Sequence, residues 1–460
     1  MTAVTNRSVP RDPSSSFTGW IGIARCDITP PVGIYARNWG ASTHDRAEGV
    51  HRPLTATALT FQTVKDSQPA VVVSLDLGWW RSFKDERYVR DYILNELRLD
   101  SPRLMISLSH THAGPVLCSE DRDKPGGEML AGYLDFLRDR IVSTVREALA
   151  NADIASLHWT YSSCSLACNR DLPDPDSDRV LCGYNPAGVA DHTLLVGSIR
   201  FLRSGAAASI LNYACHPTTL AWENRLISPD FVGAAREVVE EHFNGAPCMF
   251  LQGASGELAP RRQYTADTAV ADANGRVLGY AVVSALENAK SNRLEFSGVI
   301  ESGAPLAVWR EVEEPQRSDI HCYQIDVELP LQSMSSMVEL DAAIRECMDR
   351  VALERLTRKR RIREAVGDGG STKMPAWIWR LGDSFLVGHP NEAYSMLQTS
   401  LRALFPSTTV AVMNVVNGHF GYLPPEEMYG KDMYPVWQSP FAAGSLERLI
   451  EACAERMAGM

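Results

Sequence analysis

The segment from Arg103 to Pro115, RLMISLSHTHAGP, runs as an apolar, β-like stretch and then presents His110 and His112 one residue apart before turning at Gly114 and Pro115. In extended backbone, residues i and i+2 point to the same face, so both imidazoles are expected on one side of a strand end. Neutral imidazole suits Zn²⁺, and a catalytic zinc takes three protein ligands and keeps one open position. A third nitrogen donor is His216, at the end of another apolar run in NYACHPTT. For a carboxylate, Glu392 in GHPNEAYSML competes with Glu257 in ASGELAP, and spacing alone does not choose between them. Glu392, just past an apolar strand where a helix can begin, equally suits a first-turn glutamate that complements the helix dipole.

Other chemistries fit less well. The HxH pair lacks the Asp-His that completes an HxHxDH metal motif. In QGASGE, Ser255 stands in a glycine-rich turn after a strand, but a nucleophile elbow needs GxSxG and here Gly256 follows Ser255 directly. A tight turn with backbone N–H groups toward a pocket is the plainer expectation. Asp76, Asp191, His192 and Asp230 are expected in caps or core hydrogen bonds, the alternative being that they orient ligands. Cys164 and Cys168 are given no metal role.

The elements that must position these groups alternate between strands and helices. Apolar runs begin at Ala70, Arg103, Ala207, Ala246, Phe385 and Thr409. Between them, Leu130, Leu134, Leu137, Ile141 and Val145 form one stripe at helical spacing. SPDFVGAAREVVEEHF suggests a helix with Ser228 as N-cap and Pro229 in its first turn. The expected architecture is α/β, with mixed β-sheets flanked by helices. Polar chemistry at so many strand ends points to one shared pocket.

The chain has 460 residues, 45% hydrophobic and 22% charged, with no internal repeat and no linker tract after the start. A loose tail over residues 1–17 and a single catalytic domain over 18–460 are therefore expected. The tail lacks the apolar stretch of a signal peptide, and no apolar run is long enough to span a membrane, so a cytoplasmic location is expected. Ten cysteines without a CxxC pair suit reduced thiols. A net charge of −11 argues against nucleic acid as a partner. The basic run RLTRKRRIR, Arg355 to Arg363, is expected to be a solvated helix with its charges spread round the surface, the alternative being a patch for nucleic acid, membrane or an anionic ligand.

In order, DITPPVG, GVHRPLTATALTF, SLSHTHAGP, ACNRDLP, NYACHPTTL, QGASGELAP, GHPNEAYS and GYLPPEEMYGKDMY resemble the catalytic domain of the neutral, non-lysosomal ceramidases, from about Ile21 to about Tyr434. The resemblance implies a zinc hydrolase whose metal ligands are His110, His216, Glu392 and Tyr422. It implies catalytic roles for His112, which lies beside the zinc, and for Arg170 and Tyr434. Two departures stand out: Ala259 replaces a serine of the family, and Glu257 replaces an aspartate. Only 26 residues follow Tyr434, so no C-terminal immunoglobulin-like domain is expected.

The implied activity is hydrolysis of a linear amide in a small, N-acyl or lipid-like substrate by zinc-activated water. Alternatives are an esterase or lactonase on the same centre, a serine hydrolase, or a zinc protein without turnover. A homo-oligomer is compatible with the sequence but not read from it.

Overall fold

The computed structural model describes residues 16–289, 293–312 and 317–460. Residues 1–15 of the expected tail lie outside the described residues, whereas Phe17 belongs to the first strand, is fully buried and pairs with Leu157. The predicted mixed α/β class is what the chain adopts. Eight strands form a large sheet in the order Cys248–Gln252, Ala207–Tyr213, Thr193–Phe201, Asp153–Ser163, Ser16–Asp27, Thr55–Gln62, Ala70–Leu75 and Leu104–Leu108. Both outer pairs are parallel and the rest are antiparallel. A four-stranded sheet, Ile320–Pro330, Ser371–Leu381, Ser384–Gly388 and Thr409–Met413, also ends in a parallel pair.

Each parallel pair is joined through a helix, because a parallel connection must travel back along the sheet. These helices are Phe83–Leu97, Phe231–His242 and Met396–Leu404. The paired strands Ala70–Leu75 and Leu104–Leu108 are buried on both faces, which explains their uninterrupted apolar composition. Alternation sorts their side chains: Val71 and Val73 meet the stripe of helix Leu130–Ala150, while Ala70 and Val72 face the interior between the sheets. Trp377, Trp379, Leu386 and Met413 of the small sheet fill that same interior. The opposite face of the small sheet is covered by helices Met396–Leu404 and Ser445–Ala458.

The large sheet curls until its edges meet. Strand Cys248–Gln252 lies against Ala70–Leu75 and Leu104–Leu108, and the Ser74 hydroxyl donates to the Phe250 carbonyl at 2.5 Å. A buried, two-pronged ion pair closes the seam, Arg236 donating to the two Asp76 oxygens at 2.8 and 2.6 Å. The segment after Thr409–Met413 ties in the small sheet: Asn414 N–H donates to Gln252 at 3.0 Å, and the Asn417 side chain bonds Ile106 and Leu104 at 2.8 Å each. These three helix-joined parallel pairs open their loops toward one place.

Several local expectations change. The helix after Pro229 starts at Phe231 and is capped by Asp230, whose carboxylate accepts from Phe231 N–H and Leu220 N–H; Ser228 instead accepts from Asp230 N–H. Asp76 and Asp191 serve in ion pairs with Arg236 and Arg402, and the His192 carbonyl accepts from Cys164 N–H at 2.9 Å. The basic run lies in helix Arg350–Val366, but it is not a freely solvated element. Arg361 donates to both oxygens of Asp121, Arg358 bonds Tyr434, and Arg363 is buried, because one face of this helix packs over the strand-end loops. All ten cysteines are free thiols. No helix among the described residues is long and apolar enough to cross a membrane.

Candidate functional site

Each βαβ unit contributes to one cluster. His110 follows the second strand of the first unit, His216 the first strand of the second, and Glu392 and Tyr422 come from the loops after the two strands of the third. The imidazoles of His110 and His112 do face a common cavity, with ring centroids 5.1 Å apart, but strand alternation is not the cause. The strand ends at Leu108, and His110 adopts a left-handed φ of 69°, a conformation that β-carbon sterics disfavour and that the surroundings must hold. The His110 N–H does so by donating to the Leu77 carbonyl at 2.8 Å. Glu392 does not begin a helix. It forms a two-residue parallel bridge with Tyr422 directly in register, and the next helix starts only at Met396.

The hydrogen bonds settle where the imidazole protons sit. His110 Nδ1 lies 3.1 Å from the Gly78 carbonyl, and His216 Nδ1 lies 2.6 Å from the Ser255 carbonyl. A carbonyl only accepts, so each Nδ1 carries the proton and each Nε2 keeps a bare lone pair. For His216 a second contact agrees: Arg170 Nη2, which only donates, is 3.3 Å from Nε2. Burial first, and then the Arg170 charge, lowers the His216 pKa to about 3, so the ring is neutral. Both Nε2 atoms point at Glu392 Oε2, at 3.2 Å from His110 and 3.0 Å from His216. Burial opposes the charge on Glu392, but the surrounding imidazoles prevail and hold it well below the usual carboxylate range.

Two lone pairs and a carboxylate oxygen converging without a proton between them form a donor set that a cation satisfies. The Tyr422 hydroxyl is 3.4 Å from His216 Nε2 and receives an N–H from Arg170 at 2.9 Å. The residues present therefore fit a divalent metal held by His110, His216, Glu392 and Tyr422. The nitrogens of His112 approach those of His110 and His216 within 4.8 Å as well. Its ring lies between the Trp39 and Trp79 rings at 5.0 and 4.8 Å, with both nitrogens lacking a hydrogen-bond partner. Arg170 is anchored to the Gly256 carbonyl through Nε and Nη2 at 3.1 and 2.7 Å. The Tyr434 ring stands 5.6 Å from the Tyr422 ring, and its hydroxyl accepts from Arg358 at 2.7 Å. His110, His112, Arg170, Glu392, Tyr422 and Tyr434 line a cavity of about 480 Å³.

The other candidates fall outside it. Glu257 turns its carboxylate to Ser395, accepting its backbone N–H at 3.0 and 2.9 Å together with its hydroxyl. Ser255 accepts at its hydroxyl from Gln252 at 2.6 Å and offers His216 only its carbonyl, so no imidazole is placed to activate it. Ala259 is buried in a short strand paired with Cys168. Sequence reasoning missed His419, whose Nε2 donates to Glu392 Oε1 at 2.8 Å and so fixes the orientation of that carboxylate. Its signal was its place in NGHFGY, three residues before Tyr422. It also missed Trp79, which carries no motif, and Arg358, which was read only as part of the basic run.

A model of the neutral/alkaline non-lysosomal ceramidase family, N-terminal part, matches residues 20–260. Among solved structures, the chain is similar to a ceramidase complexed with C2, with a TM-score of 0.67 at 17% identity over 96% of this chain and 76% of that one. It is also similar to a neutral ceramidase from Pseudomonas aeruginosa, with a TM-score of 0.62 at 17% identity over 96% of this chain and 74% of the other. No curated protein matches by sequence. The fold is thus that of these ceramidases, and the match across more than half of the chain places it: the protein belongs to the neutral/alkaline non-lysosomal ceramidase family.

Proposed function

We propose that this protein is a zinc-dependent amidohydrolase that cleaves the amide of an N-acyl, ceramide-like compound with water. The observation that carries this is the convergence of His110 Nε2, His216 Nε2 and Glu392 Oε2, with the tautomers set by the Gly78 and Ser255 carbonyls. A zinc ion held there would supply Lewis acidity toward a carbonyl and make a water nucleophilic near neutral pH.

The chain's own groups do the rest. Arg358 donates to the Tyr434 hydroxyl, which leaves the phenol proton free for the oxygen that becomes negative as a carbonyl is attacked. Arg170 is clamped by Gly256 and Tyr422 and adds a fixed positive charge beside the Tyr422 hydroxyl. Burial, with the neighbouring His110 and His216, keeps His112 well below the usual histidine pKa and hence neutral. Its free N–H and free lone pair equip it to pass a proton from water to the departing nitrogen. Aromatic walls from Trp39, Trp79, Trp222 and Tyr264 suit an acyl chain.

An ester meets the same groups, so matched ester and amide substrates separate the two activities. The test is metal content of the purified protein, with hydrolysis of N-acyl amides including a ceramide before and after chelation. About one zinc per chain and activity restored by zinc are expected. Undiminished turnover without metal would refute the assignment.

A further inference from the structure

Beside the catalytic cavity lies a second chamber of about 280 Å³, and the two share Trp79, Glu354, Arg358, Ile362 and His419 as walls. These shared side chains stand between the ligand cluster and the second chamber, which brings the two within reach of one extended molecule. Six basic side chains line this chamber, Arg37, Arg81, Lys124, Arg350, Arg358 and Arg361, against three acidic ones, Asp45, Asp121 and Glu354. The acids are already engaged. Asp45 pairs with Arg350, Asp121 takes Arg361 through both oxygens, and Glu354 stands 3.6 Å from both Arg37 and Arg358.

Arg81 and Lys124 have no carboxylate partner among the described residues. Arg81 is nonetheless fixed in place. Its Nη2 donates to the Arg37 carbonyl at 2.7 Å and to Asn38 Oδ1 at 3.0 Å, and the guanidinium lies 5.3 Å from the centre of the Trp79 ring. Its Nε is buried without a partner. Arg81 is half-buried and Lys124 exposed, so both remain reachable, and a guanidinium fixed by neutral acceptors with one buried donor unused is a site that an anion completes. The chain as a whole carries −11, so this local excess of positive charge is a concentrated exception.

We propose that the substrate is an amide bearing an anionic group, a carboxylate or an equivalent oxyanion, that seats against Arg81 and Lys124 in this chamber. The proposal rests on the amidohydrolase reading of the adjoining cluster and names its substrate class. The aromatic walls Tyr35, Trp80 and Phe83 provide for the apolar part of such an amphiphile.

The test uses the zinc-loaded full chain and two matched pairs: N-octanoylglycine against its primary amide, and N-octylsuccinamic acid against its primary amide. The first pair places the anion on the amine side and the second on the acyl side. One acid is expected to exceed its neutral partner in kcat/KM by about tenfold or more at low salt, the range of a charge-assisted hydrogen bond. The identity of that acid tells which side of the scissile bond enters the chamber. In Arg81→Gln the acid-to-neutral ratio should fall to near one, and Lys124→Gln serves if the first variant does not fold. Equal values within both pairs, or a ratio unmoved by either variant, would overturn the proposal.

Calorimetric binding of the four compounds separates this failure from failure of the amidohydrolase reading. No turnover with an Arg81-dependent preference for an acid would refute only the latter. No preference in affinity or in turnover would refute the anion site.

Discussion

Glu257 and Glu392 compete for one place when judged by spacing, and a pair of isosteric variants, Glu257→Gln and Glu392→Gln, reads out how the structure separates them. Glu257 is 7% exposed and meets Ser395, with no cation against it among the described residues. Burial raises its pKa from 4.5 to about 7, the Ser395 bonds opposing and the Asp171 charge adding. The fold holds this proton more tightly than the unfolded chain does. Its contribution to stability is therefore complete below pH 4.5 and is lost as pH rises through about 7. At about 1.36 kcal/mol per pH unit, the loss amounts to about 3 kcal/mol. Glutamine stays neutral, so between pH 5 and pH 8 the difference in unfolding free energy should move toward Glu257→Gln by about 2.5 kcal/mol, as measured by urea denaturation of both proteins at each pH. Zinc content should be unchanged in Glu257→Gln and lost in Glu392→Gln, which removes the charge that faces both Nε2 atoms. Parallel pH dependence in variant and parent, or zinc retained by Glu392→Gln, would refute the reasoning.

His112→Ala should keep its zinc, because His112 is adjacent to the donor set and not one of the four converging groups; its turnover should fall by about 10²- to 10³-fold. Wild-type rates in that variant would remove its catalytic role. Trp379 is fully buried between the two sheets and donates its indole N–H to the Pro102 carbonyl at 2.6 Å, so Trp379→Ala should cost about 3–5 kcal/mol in denaturant unfolding. A cost of less than about 1 kcal/mol would show that this interior is loosely packed.

Much of the site was legible because strand ends are marked by composition. Runs such as AVVVSL and LMISL are apolar because a parallel pair buries both faces, and the polar residues that follow them are where the backbone leaves the sheet. That placed His110, His216 and Glu392 at loop positions, and the motif order supplied Tyr422, Tyr434 and Arg170. The alternation argument for His110 and His112 reached a correct juxtaposition for the wrong reason, since the left-handed turn at His110 depends on the Leu77 carbonyl of a neighbouring loop.

The residue types and their order along the chain thus determined the class of fold and the inventory of donors, because burial pattern and ligand chemistry are properties of short segments. Tertiary structure alone decided which donors meet. Glu392 and Tyr422 are joined by a bridge between loops of the same βαβ unit, and His110 reaches His216 only because the large sheet curls edge to edge. It also turned a basic helix from a solvated surface into the wall of two chambers: which face of a helix is covered depends on what packs against it, a contact between residues as distant as Asp121 and Arg361 that no local pattern records.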